Sequence, residues 1–343
     1  MSHKNLTTLC YIEQEGCYLM LHRIKKKHDM NQDKWLGVGG HLEEGESPEE
    51  CLLREVKEET GLNLLSYRQR GIVTFVSDQY PDEYMFLYTA DEYEGTMAEC
   101  EEGQLEWVPK EKTSRLPLWE GDLIFFELLK DEIPFFSLKL EYKGERLSAA
   151  SLNGGLLELL EERDLEGKVT GKVRARFIMH REGTLHGTSH VWVISPNEQS
   201  GFDLLLQKRS ADKDSYPGCY DVSSAGHIPA GCGYLESAVR ELKEELGIQA
   251  EPEELSYVGP REELEETEFY GKPFFNHEIS KVFAYDKPVE EKDLVLQTSE
   301  VESVRWMDYE ECLFQMREGT LVHCLNEKEI LMLADWWKRR KMH

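Results

Sequence analysis

Glu55, Glu58 and Glu59 crowd into one short stretch of the chain, and Glu241, Glu244 and Glu245 repeat the same spacing far downstream. An arginine, Arg54 or Arg240, stands immediately before each set, and a Gly-His pair, Gly40-His41 or Gly226-His227, lies upstream of each. At the helical period the first and last glutamate of each set stack at i and i+4, with the middle one three residues from the first, so three carboxylates share a face. Like charges at these spacings oppose helix formation and raise one another's pKa unless a cation neutralises them. A hard divalent ion such as Mg²⁺ or Mn²⁺ suits all-oxygen ligands and also binds phosphates, so the chemistry indicated is that of a diphosphate. In a chain of net charge −27 a solvated acidic helix is the other reading of such a run.

The local sequence predicts the helix on which the first set sits. Ser47 is a suitable N-cap, Pro48 fits the first helical position and Glu50 completes a capping box. Gly61 is placed to end the helix in the left-handed conformation, and Leu52, Leu53 and Val56 fall towards the core side. In the second copy Gly247 plays the part of Gly61.

Residues 40–62 read GHLEEGESPEECLLREVKEETGL and residues 226–248 read GHIPAGCGYLESAVRELKEELGI. With Gly40, Glu46, Arg54, Glu55, Glu58, Glu59 and Gly61 in place, the first segment resembles the signature of the Nudix family, whose members hydrolyse a nucleoside diphosphate joined to another group. The repeat implies an α/β chain with two Nudix α/β/α sandwich domains in tandem. It also implies that the Gly40 carbonyl and Glu55, Glu58 and Glu59 surround Mg²⁺ or Mn²⁺, while Arg54 pairs with a carboxylate such as Glu46. The ions would polarise the diphosphate and acidify a water, and one of the three glutamates, the choice being open, would take its proton. Gly226, Arg240, Glu241, Glu244 and Glu245 occupy the matching places in the second copy, but Cys232 stands where Glu46 does.

Residues 1–147 further resemble bacterial MutT-type 8-oxo-dGTP diphosphatases through LCYIEQEGCYLMLHR, KWLGVGG, EEGQLEWVP, PLWEGD and PFFSLKLEYKGERL. That resemblance makes Glu102, or its neighbour Glu101, a further metal ligand. It makes Trp119 a base-stacking and Asp122 a base-reading residue, their other reading being a capped helix start. Leu36 stands where related enzymes carry a purine-reading asparagine. Arg23, opening the basic run RIKKK, is a candidate for phosphate, as is the terminal KRRK of residues 338–341, although solvated surface explains such runs as well.

The glycines and small polar residues of 148–154 predict a linker. Residues 155–343 resemble isopentenyl-diphosphate-isomerase-like Nudix proteins through the stretch from ELLEERDLEGK to HVWVI and through LLLQKRSADKDSYPGCYDVSSAGHI. Lys208, Arg209 and Lys213 are candidate phosphate ligands there, exposure being the alternative. Glu300 and Glu302 are candidates for completing a metal shell. His186, His190 and His227 are candidates for a second metal site or for ordinary packing. True isomerases carry a cysteine immediately before the Gly-His pair. This chain has Ala225, and Cys219 lies six residues upstream, so hydrolysis is the expected chemistry.

A chain of 343 residues, 40% hydrophobic, has room for two cores and no apolar run of membrane-spanning length. The negative charge disfavours nucleic-acid polymers, which are bound by clustered Lys and Arg. Eight cysteines without CxxC spacing argue against zinc and against a disulfide framework, and the opening MSHKNLTTLC lacks the pattern of a secretory signal, so the expected location is cytoplasmic. Strands are expected at 6–11, 18–21, 71–77, 84–88, 105–108 and 134–142, and a helix at 121–129. The final amphipathic stretch, with Ile330, Leu331, Leu333, Trp336 and Trp337, is available for core packing or for a homodimer contact. The function expected is Mg²⁺-dependent cleavage of nucleoside triphosphates or related nucleoside diphosphate derivatives, with the first domain converting (8-oxo-)dGTP to the monophosphate and pyrophosphate. The alternatives are that the second domain is a binding or regulatory module, or an isomerase.

Overall fold

The computed structural model describes residues 5–25, 29–213, 215–269 and 272–341. Lys26 and Lys27 of the first basic run, and the opening residues 1–4, lie outside them. The chain divides into two compact units, residues 1–159 with 173–178, and residues 160–172 with 179–343.

In the first unit β1 (Asn5–Gln14), β2 (Cys17–His22), β3 (Trp35–Leu36), β4 (Leu62–Ser77), β5 (Glu83–Gly95), β6 (Gln104–Pro109), β7 (Phe136–Lys143), β8 (Arg146–Leu152) and β9 (Gly155–Leu156) build one sheet. Its order is β3-β2-β1-β5-β4-β7-β8-β9, with β6 alongside β2. The β1–β5 and β4–β7 pairs are parallel. β1 is buried on both faces because helices α1 (Pro48–Thr60) and α2 (Asp122–Lys130) cover opposite sides. On the α1 side Leu52 and Val56 pack with Cys10, Ile12 and Tyr88. On the α2 side Tyr11 meets Phe125 and Phe126, with ring centroids 5.8 and 4.9 Å away.

The capping box of α1 is present: Ser47 Oγ accepts from the Glu50 N–H and the Glu50 carboxylate accepts from the Ser47 N–H. Gly61 ends the helix at φ +76°. Two expectations need correction. Leu53, placed on the core side above, is exposed, while Cys51 is buried instead. The 148–154 segment is not a linker: residues 148–152 lie in β8, which pairs antiparallel with β7, and Asn153 and Gly154 make the following turn. Small residues suit this strand because Ala150 is buried in the sheet.

The chain continues through β10 (Leu159–Arg163), β11 (Val169–Ala175) and α3 (Arg176–Glu182). The second unit then contains β12 (His186–Asn197), β13 (Gly201–Arg209), β14 (Tyr220–Asp221), β15 (Ser224–His227), α4 (Tyr234–Leu246), β16 (Leu255–Phe269), β17 (Lys272–Tyr285), β18 (Val301–Asp308), α5 (Tyr309–Arg317) and α6 (Glu327–Lys341). β12 is its centre, running parallel to β17 and antiparallel to β13 and β15. The odd residues Val191 and Val193 pack with Ala238 and Leu242 of α4. The even residues Trp192 and Ile194 pack with Ile330, Leu333 and Trp337 of α6. Those three of the five terminal-helix residues are core, Trp336 packs partly against it, and Leu331 is exposed because it points off the apolar stripe.

Candidate active sites

Each carboxylate set sits where its helix meets the strand or loop carrying the Gly-His pair. In the first unit the Thr8 N–H donates to the Gly40 carbonyl over 2.9 Å, which pins the loop against β1. A Cβ added to Gly40 would lie 2.5 Å from the Glu55 carboxyl, so this position needs a glycine for close approach rather than for an unusual φ. The buried Glu59 accepts the Gly39 N–H over 2.8 Å. Burial, with Glu102 and Glu55 adding their charge, pushes the Glu59 carboxyl up to about 7. Glu58 is largely exposed, its contact with Arg54 being 3.3 Å.

The second unit reproduces this arrangement. A Cβ on Gly226 would lie 2.4 Å from the Glu241 carboxyl. Glu245 accepts the Ala225 N–H over 3.2 Å, and burial pushes it too up to about 7. Glu244 is the exposed member.

Crowded carboxylates around a glycine cradle are the donor set that a divalent cation satisfies, so the residues fit the implied ion. Glu59 and Glu245 have folded pKa values above the ordinary 4.5, so with chelator present their contribution to stability is full below about pH 4.5 and is lost as the pH rises through about 7. Urea midpoints of metal-free protein should fall across that interval, Glu59→Gln and Glu245→Gln should flatten the fall, and Mg²⁺ should reverse it. An identical pH profile for wild type and both variants would contradict the assignment.

The two copies differ at the arginine. Arg54 makes a bidentate pair with Glu46, both contacts 2.9 Å, and also meets Glu55 at 2.7 Å and the His41 carbonyl at 3.1 Å. The Arg54 guanidinium holds the Glu46 carboxyl at about 2. With Cys232 in place of that carboxylate, Arg240 keeps contacts to Glu241 at 2.5 Å and Glu244 at 3.7 Å. Arg54→Ala should therefore lower the melting temperature more than Arg240→Ala, and equal losses in parallel thermal melts would contradict this.

A cleft of about 520 Å³ in the first unit brings Gly40, Glu55, Glu59 and Glu102 together with Trp119 and Asp122. Arg23 lines it too, and is not a solvated surface residue: it pairs with Asp29 and with Glu102. The Trp119 ring packs edge-on to Phe75 at 5.2 Å and Tyr142 at 5.0 Å, with the Lys34 ammonium 4.5 Å from its centroid. Asp122, at the start of α2, is buried, and that burial pushes its carboxyl up to about 8. Leu36 lines the same cleft. So does Asn31, which sequence reasoning missed; its side-chain oxygen accepts the Trp119 Nε1–H over 2.8 Å. Its distance along the chain from Trp119 left no local signal.

In the second unit the candidate cations are engaged by carboxylates: Lys208 with Glu302 at 2.7 Å, Arg209 with Asp221 at 2.9 Å, and Lys213 with Glu300. Glu300 and Glu302 are thus committed to these pairs. The imidazoles of His180, His186 and His227 converge with ligand atoms within 4.8 Å of one another. The Glu278 carboxylate lies 3.9 and 4.0 Å from His186 and His227. His190 is not part of this group, being hydrogen-bonded to Glu329 at 3.0 Å.

The pattern defining the NUDIX domain matches residues 3–129 and again 185–323. The chain belongs to the Nudix family. The Nudix repeat accounts for both glutamate helices, and Nudix hydrolases generally use divalent metal ions. Nudix hydrolase 3 of Arabidopsis thaliana is 40% identical over 147 residues, covering 42% of this chain and 18% of that protein. An uncharacterized Nudix hydrolase of Clostridium acetobutylicum is 39% identical over 144 residues, 42% of this chain and 66% of the other. The chain therefore spans less than two thirds of either relative. An oxidized purine nucleoside triphosphate hydrolase of Danio rerio is 31% identical over 132 residues, covering 38% of this chain and 81% of that enzyme. Among solved structures, the MutT protein of Bacillus halodurans is 27% identical, covering 43% of this chain and 97% of its own, with a TM-score of 0.39. Among the described residues no helix is long and apolar enough to cross a membrane.

Proposed function

We propose that the first domain is a Mg²⁺-dependent pyrophosphohydrolase of purine nucleoside triphosphates, oxidised purines included, releasing the monophosphate and pyrophosphate. The observation that carries this reading is one cleft lined both by Gly40, Glu55, Glu59 and Glu102 and by Trp119 and Asp122. When bound, the divalent ion supplies positive charge to the diphosphate. Glu55, Glu59, Glu102 and the Gly40 carbonyl hold it, Mn²⁺ being an alternative to Mg²⁺, and Arg54 fixes Glu46 and Glu55 so that the loop keeps its place. Glu58, the exposed member of the set, is positioned to take a proton from the attacking water.

In the same cleft Trp119 offers an aromatic edge, with Phe75, Leu36 and Met85 as apolar lining. Asp122, protonated below about pH 8, presents both a donor and an acceptor, and the Asn31 amide adds to the reading of a purine edge. Arg23, once released from Asp29 and Glu102, meets phosphate.

The test is incubation of the full chain with Mg²⁺ and dGTP, 8-oxo-dGTP, dATP and dCTP, with products resolved by chromatography. Monophosphate and pyrophosphate from the purines are expected. Trp119→Ala should raise KM for purines about fivefold to tenfold and change kcat less, since an edge-on aromatic contact is worth about 0.5–1.5 kcal/mol beyond the area it buries. Equal turnover of dCTP and dGTP by wild type and variant would defeat the purine assignment.

The second domain supports the same hydrolytic reading through Gly226, Glu241, Glu244 and Glu245. Cys232, which leaves Arg240 without its loop carboxylate, favours the second reading of that domain as a regulatory module. Loss of a Glu244-dependent diphosphatase activity is the discriminating observation. Ala225 gives isomerisation no thiol before the Gly-His pair, and conversion of isopentenyl diphosphate to its isomer would reinstate that activity.

A further inference from the structure

The registers of the two copies can be laid over one another from their strand pairings. Thr7 bridges His41 in the first unit as Thr188 pairs with His227 in the second. Thr7 lies beside Met85 as Thr188 lies beside Ser280. Met85 pairs in turn with Val73, and Ser280 with Arg261. One step further out, Glu83 pairs with Phe75 and Glu278 with Glu263. Two residues along the central strand, Leu9 corresponds to His190.

Thr7, Leu9, Phe75, Glu83 and Met85 line the first domain's cleft; Thr188 and Glu278 keep the chemistry of Thr7 and Glu83, while the other positions change theirs. Leu9, Phe75 and Met85 are the apolar members of this lining in the first copy, and Val73 is buried beside Met85. His190, Arg261, Glu263 and Ser280 replace them in the second.

The second set is a connected network. Glu329 of α6 is buried and binds His190 at 3.0 Å, Arg261 at 3.0 Å and the Trp192 Nε1–H at 2.7 Å. Arg261 also pairs with Glu263, which accepts from Asn326 at 3.1 Å. Thr188 Oγ1 lies 2.8 Å from Ser280 Oγ and 3.4 Å from Glu278. Buried Asp122 is held towards its neutral form. Burial would do the same to Glu329, but His190 and Arg261 outweigh it and lower its pKa. The first floor can receive an aromatic ring without breaking a hydrogen bond. An aromatic or aliphatic group set on the second would lie against fixed charges and offer them no hydrogen bond.

We infer that the second site takes a diphosphate ester of a small, hydroxyl-rich, non-aromatic group, and rejects both purine nucleotides and isoprenoid diphosphates. This rests on the reading that the second Nudix helix is hydrolytic. The hydroxyls of such a group can exchange water's hydrogen bonds for those of Thr188, Glu263 and Glu278, with the buried Ser280 hydroxyl holding Thr188 in place. The two copies then divide substrates by the floor of the cleft while sharing one diphosphate chemistry.

The experiment uses the full chain carrying Glu58→Gln, which silences the first site. Three probes are supplied with Mg²⁺: 5-phosphoribosyl 1-diphosphate, dGTP and isopentenyl diphosphate. Released phosphate is measured with inorganic pyrophosphatase present, so that pyrophosphate from dGTP is counted as well. The expected result is a kcat/KM at least tenfold higher for the ribosyl diphosphate, lost on adding Glu244→Gln. Ser280→Ala removes one hydroxyl without adding volume and should lower that kcat/KM about tenfold while the melt stays cooperative.

Faster turnover of dGTP or isopentenyl diphosphate that Glu244→Gln abolishes overturns the inference and leaves the hydrolytic reading standing. Turnover of no probe, or turnover indifferent to Glu244→Gln, overturns both. A cooperatively melting Ser280→Ala chain with unchanged kcat/KM removes the floor from substrate selection.

Discussion

Glu58→Gln is expected to lower kcat for purine nucleoside triphosphates about a thousandfold while leaving the melting temperature of the first domain nearly unchanged, the size being that of a lost general base. Both halves follow from the placement of Glu58. Its side chain is 61% exposed and lies 3.3 Å from Arg54, which Glu46 and Glu55 hold independently. Glutamine keeps the shape and loses the charge and basicity. Parallel kinetics and calorimetry check the prediction, and unaltered turnover would remove Glu58 from the chemistry. Glu59→Gln differs, because Glu59 is buried on the Gly39 N–H and its loss should also show in the pH dependence of stability.

Gly40→Ala should be nearly as damaging by another route. The added methyl would fall 2.5 Å from the Glu55 carboxyl, the mobile end of a side chain, so the carboxylate swings away and the backbone stays. Activity should fall at least a hundredfold, with weakened Mn²⁺ binding and a folded protein. Gly39→Ala supplies the contrast. There φ is +150° and the methyl would lie 2.1 Å from the Thr8 carbonyl oxygen, which is backbone and cannot yield cheaply. This variant should lose stability first, seen as a lower melting temperature. Gly40→Ala that binds Mn²⁺ and turns over like wild type would show that Glu55 has no part in holding the ion.

The helices and their carboxylate faces are legible in the sequence because every determinant is local: Ser47, Pro48 and Glu50 start α1, Gly61 stops it, and the glutamates follow the helical period. The pairing of Arg54 with Glu46 is legible too, since both belong to one contiguous motif. The floor of each cleft is not. Asn31 and Trp119 meet across 88 positions, and Glu329 and His190 across 139, through strand order that periodicity does not encode. Arg23 reads as the start of an exposed basic run, yet it is drawn into the cleft by Asp29 and Glu102, which lie on separate segments. The 148–154 stretch reads as a linker because small polar residues are shared by loops and by a strand at the far side of a sheet. Its pairing with β7, a neighbour only a turn away, decides the matter.

The central claim is that the paired glutamate helices hold divalent ions against a diphosphate. Anomalous diffraction from a crystal of the full chain soaked with Mn²⁺ and a non-hydrolysable nucleoside triphosphate tests it most directly. Manganese peaks between the triphosphate and the Gly40, Glu55 and Glu59 oxygens are predicted, with a further peak at Gly226, Glu241 and Glu245. Nucleotide seated in the cleft with no manganese at either helix, the glutamates unmoved, would contradict it.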